Sequence, residues 1–249
     1  MSDPADDAIG DFISTMDGMA KGGVRTWDVF QNFCNLTYHA ILAQGGSSNK
    51  QDRAESEASY MKLVRKVGKR QTREISDMLT HVARAFNSGM SDVLGRIYME
   101  SGFSNMKGGQ VFTPWPICQA MATTTIDNVE VKPVYLLMEP ACGSGALVLA
   151  AAEIFEKSGR PVGKHLWADM TDADVVCQRM AYIQMSLVGV PGVVRHGNSL
   201  SNEYHENAVT PAGVALYHDS MYLRLRLSGK RGRRRRRKTR TRNPNRRRQ

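Results

Sequence analysis

Between Val134 and His196 the sequence alternates short apolar runs with stretches of helical period, and this alternation restricts the fold more than any other feature. Apolar runs of this length suit the buried strands of a parallel sheet, and the intervening stretches carry apolar residues at every third or fourth position. The predicted elements are a strand at Val134–Met138, a helix ending at Ser158, a strand at His165–Thr171, a helix at Asp174–Leu187 and a strand at Gly192–His196. Strands that alternate with helices in this way are typical of a doubly wound α/β sheet.

The first hundred residues have a different texture and are predicted to be mostly helical. Met1 to Val24 is acidic and contains glycine, so this stretch is predicted to be poorly ordered. A helix is expected to begin at Thr26, and the polar stretch Gln44–Ala58 is expected to be a loop before a second helical region. The predicted divisions are a helical region at 1–108, a partial Rossmann-like α/β domain at 109–227 and a disordered arginine-rich tail at 228–249.

Positive charge is concentrated in one segment of the chain. Of 34 lysines and arginines, 13 lie in Lys230–Gln249, which holds no acid, and the first 229 residues are slightly acidic. The densest part is a run of six cations: Arg233, Arg234, Arg235, Arg236, Arg237 and Lys238. Such a block cannot bury surface, and it suits salt-sensitive contact with nucleic-acid phosphates regardless of base sequence. The alternatives are a solvated tail or the product of a shifted reading frame.

The four cysteines, Cys34, Cys118, Cys142 and Cys177, are scattered and show no paired spacing. This argues against a disulfide framework and a zinc ribbon, and no metal site is predicted. No signal-peptide pattern occurs near Met1, and the longest apolar run, Ala146–Ala152, is too short to span a bilayer. A cytoplasmic protein with no membrane partner is expected.

A glycine-rich turn lies where the first predicted strand meets its helix. It reads Glu139-Pro-Ala-Cys-Gly-Ser-Gly145. Two glycines at such a position let backbone approach a ligand closely and direct helix N–H groups at a negative charge. Taken alone, Gly-x-Gly after a strand fits a tight structural turn equally well.

The residues around this turn indicate a particular protein family more specifically than the two glycines do. Pro140-Ala-Cys-Gly-Ser-Gly145, preceded by an acid and by Gly109-Gln-Val-Phe-Thr-Pro114 upstream, resembles the N6-adenine DNA methyltransferases. The match is closest to modification subunits of type I restriction systems and their phage-borne relatives. The resemblance implies an S-adenosylmethionine-dependent methyltransferase domain. In this family Phe112, Thr113 and Pro114 would pack against the cofactor, and Glu139, Ala141, Cys142, Gly143 and Gly145 would wrap its methionine portion. Glu139 stands where the family usually has aspartate.

Two further positions complete the implied pocket. An acid at the end of the second strand would accept hydrogen bonds from the ribose hydroxyls, and the resemblance gives this role to Asp172. Asp169 and Asp174 compete with it, and these acids could instead cap the next helix. After the third strand, the resemblance gives Asn198 contact with the adenine edge of the cofactor, although Gly-Asn by itself is only a turn pattern.

The family's Asn-Pro-Pro-Tyr or Asn-Pro-Pro-Phe element does not occur in the sequence. In the family its amide and a backbone carbonyl accept the hydrogens of the adenine amine while the ring stacks on the flipped base. Asn243-Pro-Asn245 lacks the second proline and the aromatic residue. The sequence therefore predicts a cofactor-binding half without its catalytic half, with room for edge strands at Val214–Tyr217 and Met221–Leu225, and no catalytic residue is assigned.

The resemblance leads to one main hypothesis and two alternatives. The main one is an S-adenosylmethionine-binding protein of the DNA adenine N6-methyltransferase type, with DNA as partner and a specificity or restriction subunit as a further one. The first alternative is a catalytically inert protein that uses this fold as a DNA-binding scaffold or restriction-system accessory. The second is a general nucleic-acid-binding protein in which the fold is incidental.

Overall fold

A computed structural model describes residues 3–21, 23–46, 50–106, 110–127 and 134–218. The helices within these ranges are α1 (Pro4–Ala20), α2 (Thr26–Gln44), α3 (Lys50–Val67), α4 (Lys69–Phe86), α5 (Val93–Glu100), α6 (Phe103–Met106), α7 (Trp115–Asp127), α8 (Ala146–Lys157), α9 (Val162–His165), α10 (Val175–Val188) and α11 (Pro211–His218). The strands are β1 (Tyr135–Glu139), β2 (Leu166–Asp172), β3 (Gly192–Asn198) and β4 (Glu203–Val209). The predicted class, a helical region followed by an α/β domain, is confirmed. The cations at 233–238 and the predicted strand at 221–225 lie outside the described residues.

The prediction that Met1–Val24 is poorly ordered is wrong, because most of this stretch forms α1. Asp3 caps the helix by accepting a hydrogen bond from the Ala5 N–H at 2.9 Å. Phe12 and Met16, one turn apart, are fully buried. Their spacing makes one apolar face, which Ala8, Ile9 and Met19 extend, and packing of that face stabilises a helix whose acidic residues lie on the solvated side.

Helices α1, α2, α4 and α5 enclose an apolar core rich in aromatic rings. The rings of Phe12 and Phe33 meet edge to face with their centroids 4.9 Å apart, and Tyr98 belongs to the same core. Val176 and Met180 of α10 join this core as well. The helical region therefore packs directly on the α/β part of the chain.

The strands among the described residues form one sheet in the order β1-β2-β3-β4. β1, β2 and β3 are parallel, and β4 is antiparallel to β3. Glu139 pairs in register with Met170, and Asp172 with His196, so the carboxyl ends of the parallel strands meet at one edge. α8 and α10 connect strands in the same direction across the sheet, and right-handed crossovers place both on one face.

The two faces of the sheet are covered unequally at β1. Met170 and Val194 belong to the apolar cluster that includes α8 and α10, with Leu137 packed against it. On the other face of β1, Leu136 is 74% exposed and Met138 is 76% exposed. Among the described residues β1 pairs with β2 alone, so the prediction of a buried strand is wrong. An apolar run indicates a strand, but its place in the sheet decides its burial.

Two other predicted elements differ from the structure. α3 occupies much of the expected loop at Gln44–Ala58. The expected edge strand at Val214–Tyr217 is part of α11. Within the described residues, no helix combines the length and apolarity that crossing a bilayer requires.

Candidate functional site

The glycine-rich turn lies between β1 and α8 at the carboxyl edge of the sheet. Gly143 has a φ of 53° and Gly145, the N-cap of α8, has a φ of 96°, both in the region that favours glycine. The Cys142 N–H donates to the Thr171 carbonyl at 2.9 Å, and the Gly145 N–H donates to the Cys142 carbonyl at 2.8 Å. These bonds hold the turn, which we call the glycine loop (140–145), against the end of β2.

Asp172 connects the end of β2 to the glycine loop. One carboxylate oxygen accepts from the Gly143 N–H at 2.8 Å, and the other accepts from the Asp174 N–H at 2.8 Å. Burial raises the pKa of this carboxyl above its ordinary value. A carboxylate offers about four acceptor positions, so two are used here and the others can receive hydroxyl donors from a ligand.

The structure distinguishes the three acids that compete in the sequence. Asp174 is the N-cap of α10 and accepts from the Val176 N–H at 2.7 Å, which is the capping role foreseen as the alternative. Asp169 forms an ion pair with Arg195 and lies three residues earlier on β2, on the opposite face of the strand. Of these three acids, Asp172 is the one that accepts the hydrogen bond from the Gly143 N–H of the glycine loop.

Phe112 lies over the glycine loop. A methyl group added at Gly143 would come within 3.1 Å of Cδ1 of this ring, so the two surfaces are in contact. The Phe112 ring also packs against the ring of Tyr98 of α5, with the two centroids 5.0 Å apart. Thr113 and Pro114 follow on an exposed stretch that leads into α7. The loop and the predicted Phe-Thr-Pro element are thus brought together through Phe112.

The remaining predicted residues lie along the same edge. Glu139 ends β1 and accepts from the Ala141 N–H at 3.3 Å. Burial raises the pKa of Glu139, and the nearby Asp172 carboxylate adds to the effect. Cys142 is buried in the loop, and burial raises the pKa of its thiol, which makes it a packing residue rather than a nucleophile. Asn198 ends β3, and its side-chain oxygen closes the following turn by accepting from the Leu200 N–H at 2.9 Å.

A buried polar cluster behind the loop was missed by sequence reasoning. Asp92, the N-cap of α5, accepts from the Ser144 hydroxyl at 2.6 Å, from the Gln184 side-chain amide at 2.8 Å and from the Gly95 N–H at 3.0 Å. Gln184 also donates to the Ser144 carbonyl at 2.8 Å and accepts from the Leu94 N–H at 3.0 Å. Ser144 and Gln184 are almost completely buried, and burial raises the pKa of Asp92. The cluster ties the helical region to the glycine loop.

One pattern could have pointed to this cluster. Gln184 is a polar residue within the otherwise apolar Met180–Met185 stretch of a helix, and a polar side chain at such a position must find a partner. Its partners, Asp92 and Ser144, are far away in the sequence, so no local spacing connects the three. Only the folded chain brings them together.

The site as a whole suits a ligand that carries hydroxyl groups and a compact polar end. In open α/β sheets, ligands bind outside the carboxyl ends of the strands, where Glu139, Asp172 and Asn198 lie. The glycines let the loop pack closely, Gly143 against Phe112 and Gly145 against Met185 of α10, and Phe112 supplies an apolar wall. Nucleoside-type ligands have these features.

A family model for N-6 DNA methylases matches residues 90–215, slightly more than half of the chain. The chain belongs to the N-6 DNA methylase family. The match contains every strand of the sheet, the glycine loop and the Asp92 cluster. No curated protein matches this N-6 DNA methylase.

Two solved structures are similar to this N-6 DNA methylase. One is a protein from Listeria monocytogenes assigned as a class I S-adenosylmethionine-dependent methyltransferase, with 18% identity, a TM-score of 0.42, and 79% of this chain and 55% of that chain covered. The other is the methyltransferase subunit of a type I restriction-modification system from Streptococcus thermophilus, with 20% identity, a TM-score of 0.40, and coverage of 77% and 40%. The match therefore spans about half of the length of these two proteins.

Proposed function

We propose that this N-6 DNA methylase binds S-adenosylmethionine at the carboxyl edge of its sheet and takes part in methyl transfer to the exocyclic amine of adenine in DNA. The observation that carries the proposal is the hydrogen bond from the Gly143 N–H to Asp172, which joins the glycine loop to the acid of β2. When bound, the cofactor supplies an electrophilic methyl group on its sulfonium. Family membership supports DNA as the substrate.

The residues at the edge fit this cofactor by their chemistry. A ribose offers two hydroxyl donors, and Asp172 has acceptor positions left for them. Phe112 presents an apolar ring surface beside Gly143. The proposed contacts are Phe112, Thr113 and Pro114 against the cofactor, Glu139, Ala141, Cys142, Gly143 and Gly145 around its methionine portion, Asp172 at the ribose and Asn198 at the adenine.

The proposal assigns no residue to the chemistry at the adenine amine. That amine is a poor nucleophile because its lone pair is conjugated with the ring, so acceptors for its hydrogens are required. A transfer assay with labelled methyl groups and adenine-containing duplex DNA tests whether the chain acts alone or together with a specificity or restriction subunit, its proposed partner. Incorporation by the chain alone contradicts the catalytically inert alternative. The cations at 233–238 are proposed as further phosphate contacts and stay a prediction.

Replacing Asp172 with asparagine is expected to weaken cofactor binding about 10- to 100-fold. Hydrogen bonds to a charged acceptor contribute about 1.5–3 kcal/mol, and the amide loses both the charge and part of the acceptor capacity. Calorimetric titration of S-adenosylmethionine into the full chain measures the change. The control is Asp169→Asn, an identical replacement on the same strand, which should leave the affinity unchanged. Equal affinity of both variants and the wild-type chain would contradict the proposed site.

Cofactor affinity is also expected to fall in acid. Burial raises the pKa of Asp172 above its ordinary value, and the ionised carboxylate is the better acceptor for ribose hydroxyls. Because the cofactor favours the ionised form, affinity is constant above this pKa and decreases below it, by up to about tenfold per pH unit. Burial also raises the pKa of Glu139, so its protonation in acid should change cofactor affinity in the same direction. The same titration repeated across pH should give a flatter profile for Asp172→Asn, and an identical slope in both proteins would be the contrary result.

A further inference from the structure

A second basic segment lies where α3 meets α4, well before the arginine-rich tail in the sequence. The twelve residues 62–73, which include Gly68, contain six cations and no acid. All six cations are exposed: Lys62, Arg65, Lys66, Lys69, Arg70 and Arg73. At about 1.5 Å of rise per residue, each lies within about 9 Å of Gly68 along its helix axis. We call this group the basic corner.

Most of the basic corner is not neutralised within the protein. Arg70 pairs with Glu74 at 3.1 Å, and Arg65 donates to the Met61 carbonyl. For Lys62, Lys66, Lys69 and Arg73, no ion pair with a carboxylate occurs among the described residues. The corner therefore presents a net positive surface to solvent.

Favourable interaction with a helix dipole explains only some of the cations in the basic corner. Arg65 and Lys66 are in the last turn of α3, where cations interact favourably with the helix dipole. Lys69 and Arg70 begin α4, where the dipole disfavours cations, and the first turn of α4 contains no acid. Its N-cap, Gly68, provides no side-chain hydrogen bond. A local arrangement that opposes helix stability indicates selection for another purpose.

We infer that the basic corner binds the phosphate backbone of duplex DNA. The inference rests on the proposed function, because the DNA methylase family supplies the class of polyanion. Double-stranded DNA presents one phosphate per about 3.4 Å of axis on each strand, so cations within about 9 Å of Gly68 along each helix axis can meet several successive phosphates of one strand. The corner places a duplex contact on the helical region, separate from the carboxyl edge of the sheet, and contributes affinity without base specificity.

Lysine acetylation read by mass spectrometry tests the contact in the full chain. With a short duplex bound, as monitored by fluorescence anisotropy, Lys62, Lys66 and Lys69 should be acetylated several-fold more slowly than without DNA. Lys21 and Lys157, exposed residues on other elements, serve as internal controls and should react at unchanged rates. Slower reaction of Lys230 and Lys238 alone would show that only the tail holds the duplex, and it would overturn the inference.

A pair of matched variants provides a second measurement. Lys66→Ala/Lys69→Ala should reduce the slope of log affinity against log salt by about two, one for each phosphate contact removed. Lys21→Ala/Lys157→Ala removes the same charge and should leave the slope unchanged. Equal slopes for both variants, no binding of duplex by the full chain, or protection by an RNA duplex but not a DNA duplex would each overturn the inference. Titration of S-adenosylmethionine into the same samples tests the proposed function independently.

Discussion

Asp92→Ala is expected to reduce the free energy of unfolding by about 3–5 kcal/mol, because it removes the acceptor at the centre of a buried polar cluster. The Ser144 hydroxyl, the Gln184 amide and the Gly95 N–H would each lose a hydrogen bond. A buried donor left unpaired costs about 1–3 kcal/mol, and part of the total is offset because the buried carboxyl itself is removed. Equilibrium unfolding by denaturant, with the slope checked for two-state behaviour, measures the loss.

The comparison that isolates the cluster uses a second aspartate. Asp77 is exposed on α4, and Asp77→Ala should change stability by no more than about 0.5 kcal/mol. Asp92→Asn keeps an oxygen that can accept from one donor, so its loss should lie between the two. Because Asp92 joins the helical region to the glycine loop, its alanine variant should also bind S-adenosylmethionine more weakly. A stability change for Asp92→Ala as small as that for Asp77→Ala would show that the cluster does not hold the loop.

Gly145→Asp is expected to abolish saturable binding of S-adenosylmethionine at millimolar concentration. Gly145 has a φ of 96°, and a Cβ there would lie 3.1 Å from Cε of Met185 and 3.5 Å from Ala181. The backbone would shift or strain, and the new carboxylate would be forced against Met185 and Ala181 of α10, which would distort the glycine loop that is proposed to surround the methionine portion. Calorimetric titration measures the affinity of the variant for the cofactor, and its melting temperature measures the stability lost to backbone strain.

The other end of α8 supplies the matched control. Gly159 also has a positive φ, 70°, but a Cβ added there would meet nothing within 4 Å. Gly159→Asp therefore shares the backbone strain and the charge change without the crowding or the proposed ligand contact. It should lower the melting temperature slightly and retain the affinity. Retained affinity in both variants would place the cofactor away from the glycine loop.

Local patterns in the sequence were sufficient for the parallel half of the sheet. Each pattern used for the prediction spans only a few residues: the apolar run before Glu139, the two glycines, and the helical period after Asp174. The elements β1, α8, β2, α10 and β3 occur as predicted, apart from their ends. The choice of Asp172 at the strand end came from the family resemblance, and Asp172 is the last residue of β2. Its bond to Gly143 required the folded chain, since the two residues are 29 positions apart.

The missed elements have different causes. α1 packs Phe12 against Phe33, and the helical spacing of Phe12 and Met16 was a local signal that the prediction from acidic composition did not use. β4 carries mostly polar, exposed residues and depends on pairing with β3, so it has no apolar period to detect. Sequence reasoning placed DNA contacts only in the tail, and the basic corner emerges when α3 and α4 are seen to meet at Gly68.

The uncovered side of β1 determines how this protein should be handled in solution. Leu136 and Met138 expose large apolar side chains on a strand that has a single described neighbour, and such an edge can pair with extended segments of other molecules. Association of this kind needs two molecules to meet, so its rate rises with the square of concentration while the stability of each fold is unchanged. Dilution should therefore slow this association more strongly than it slows any process that a single molecule undergoes.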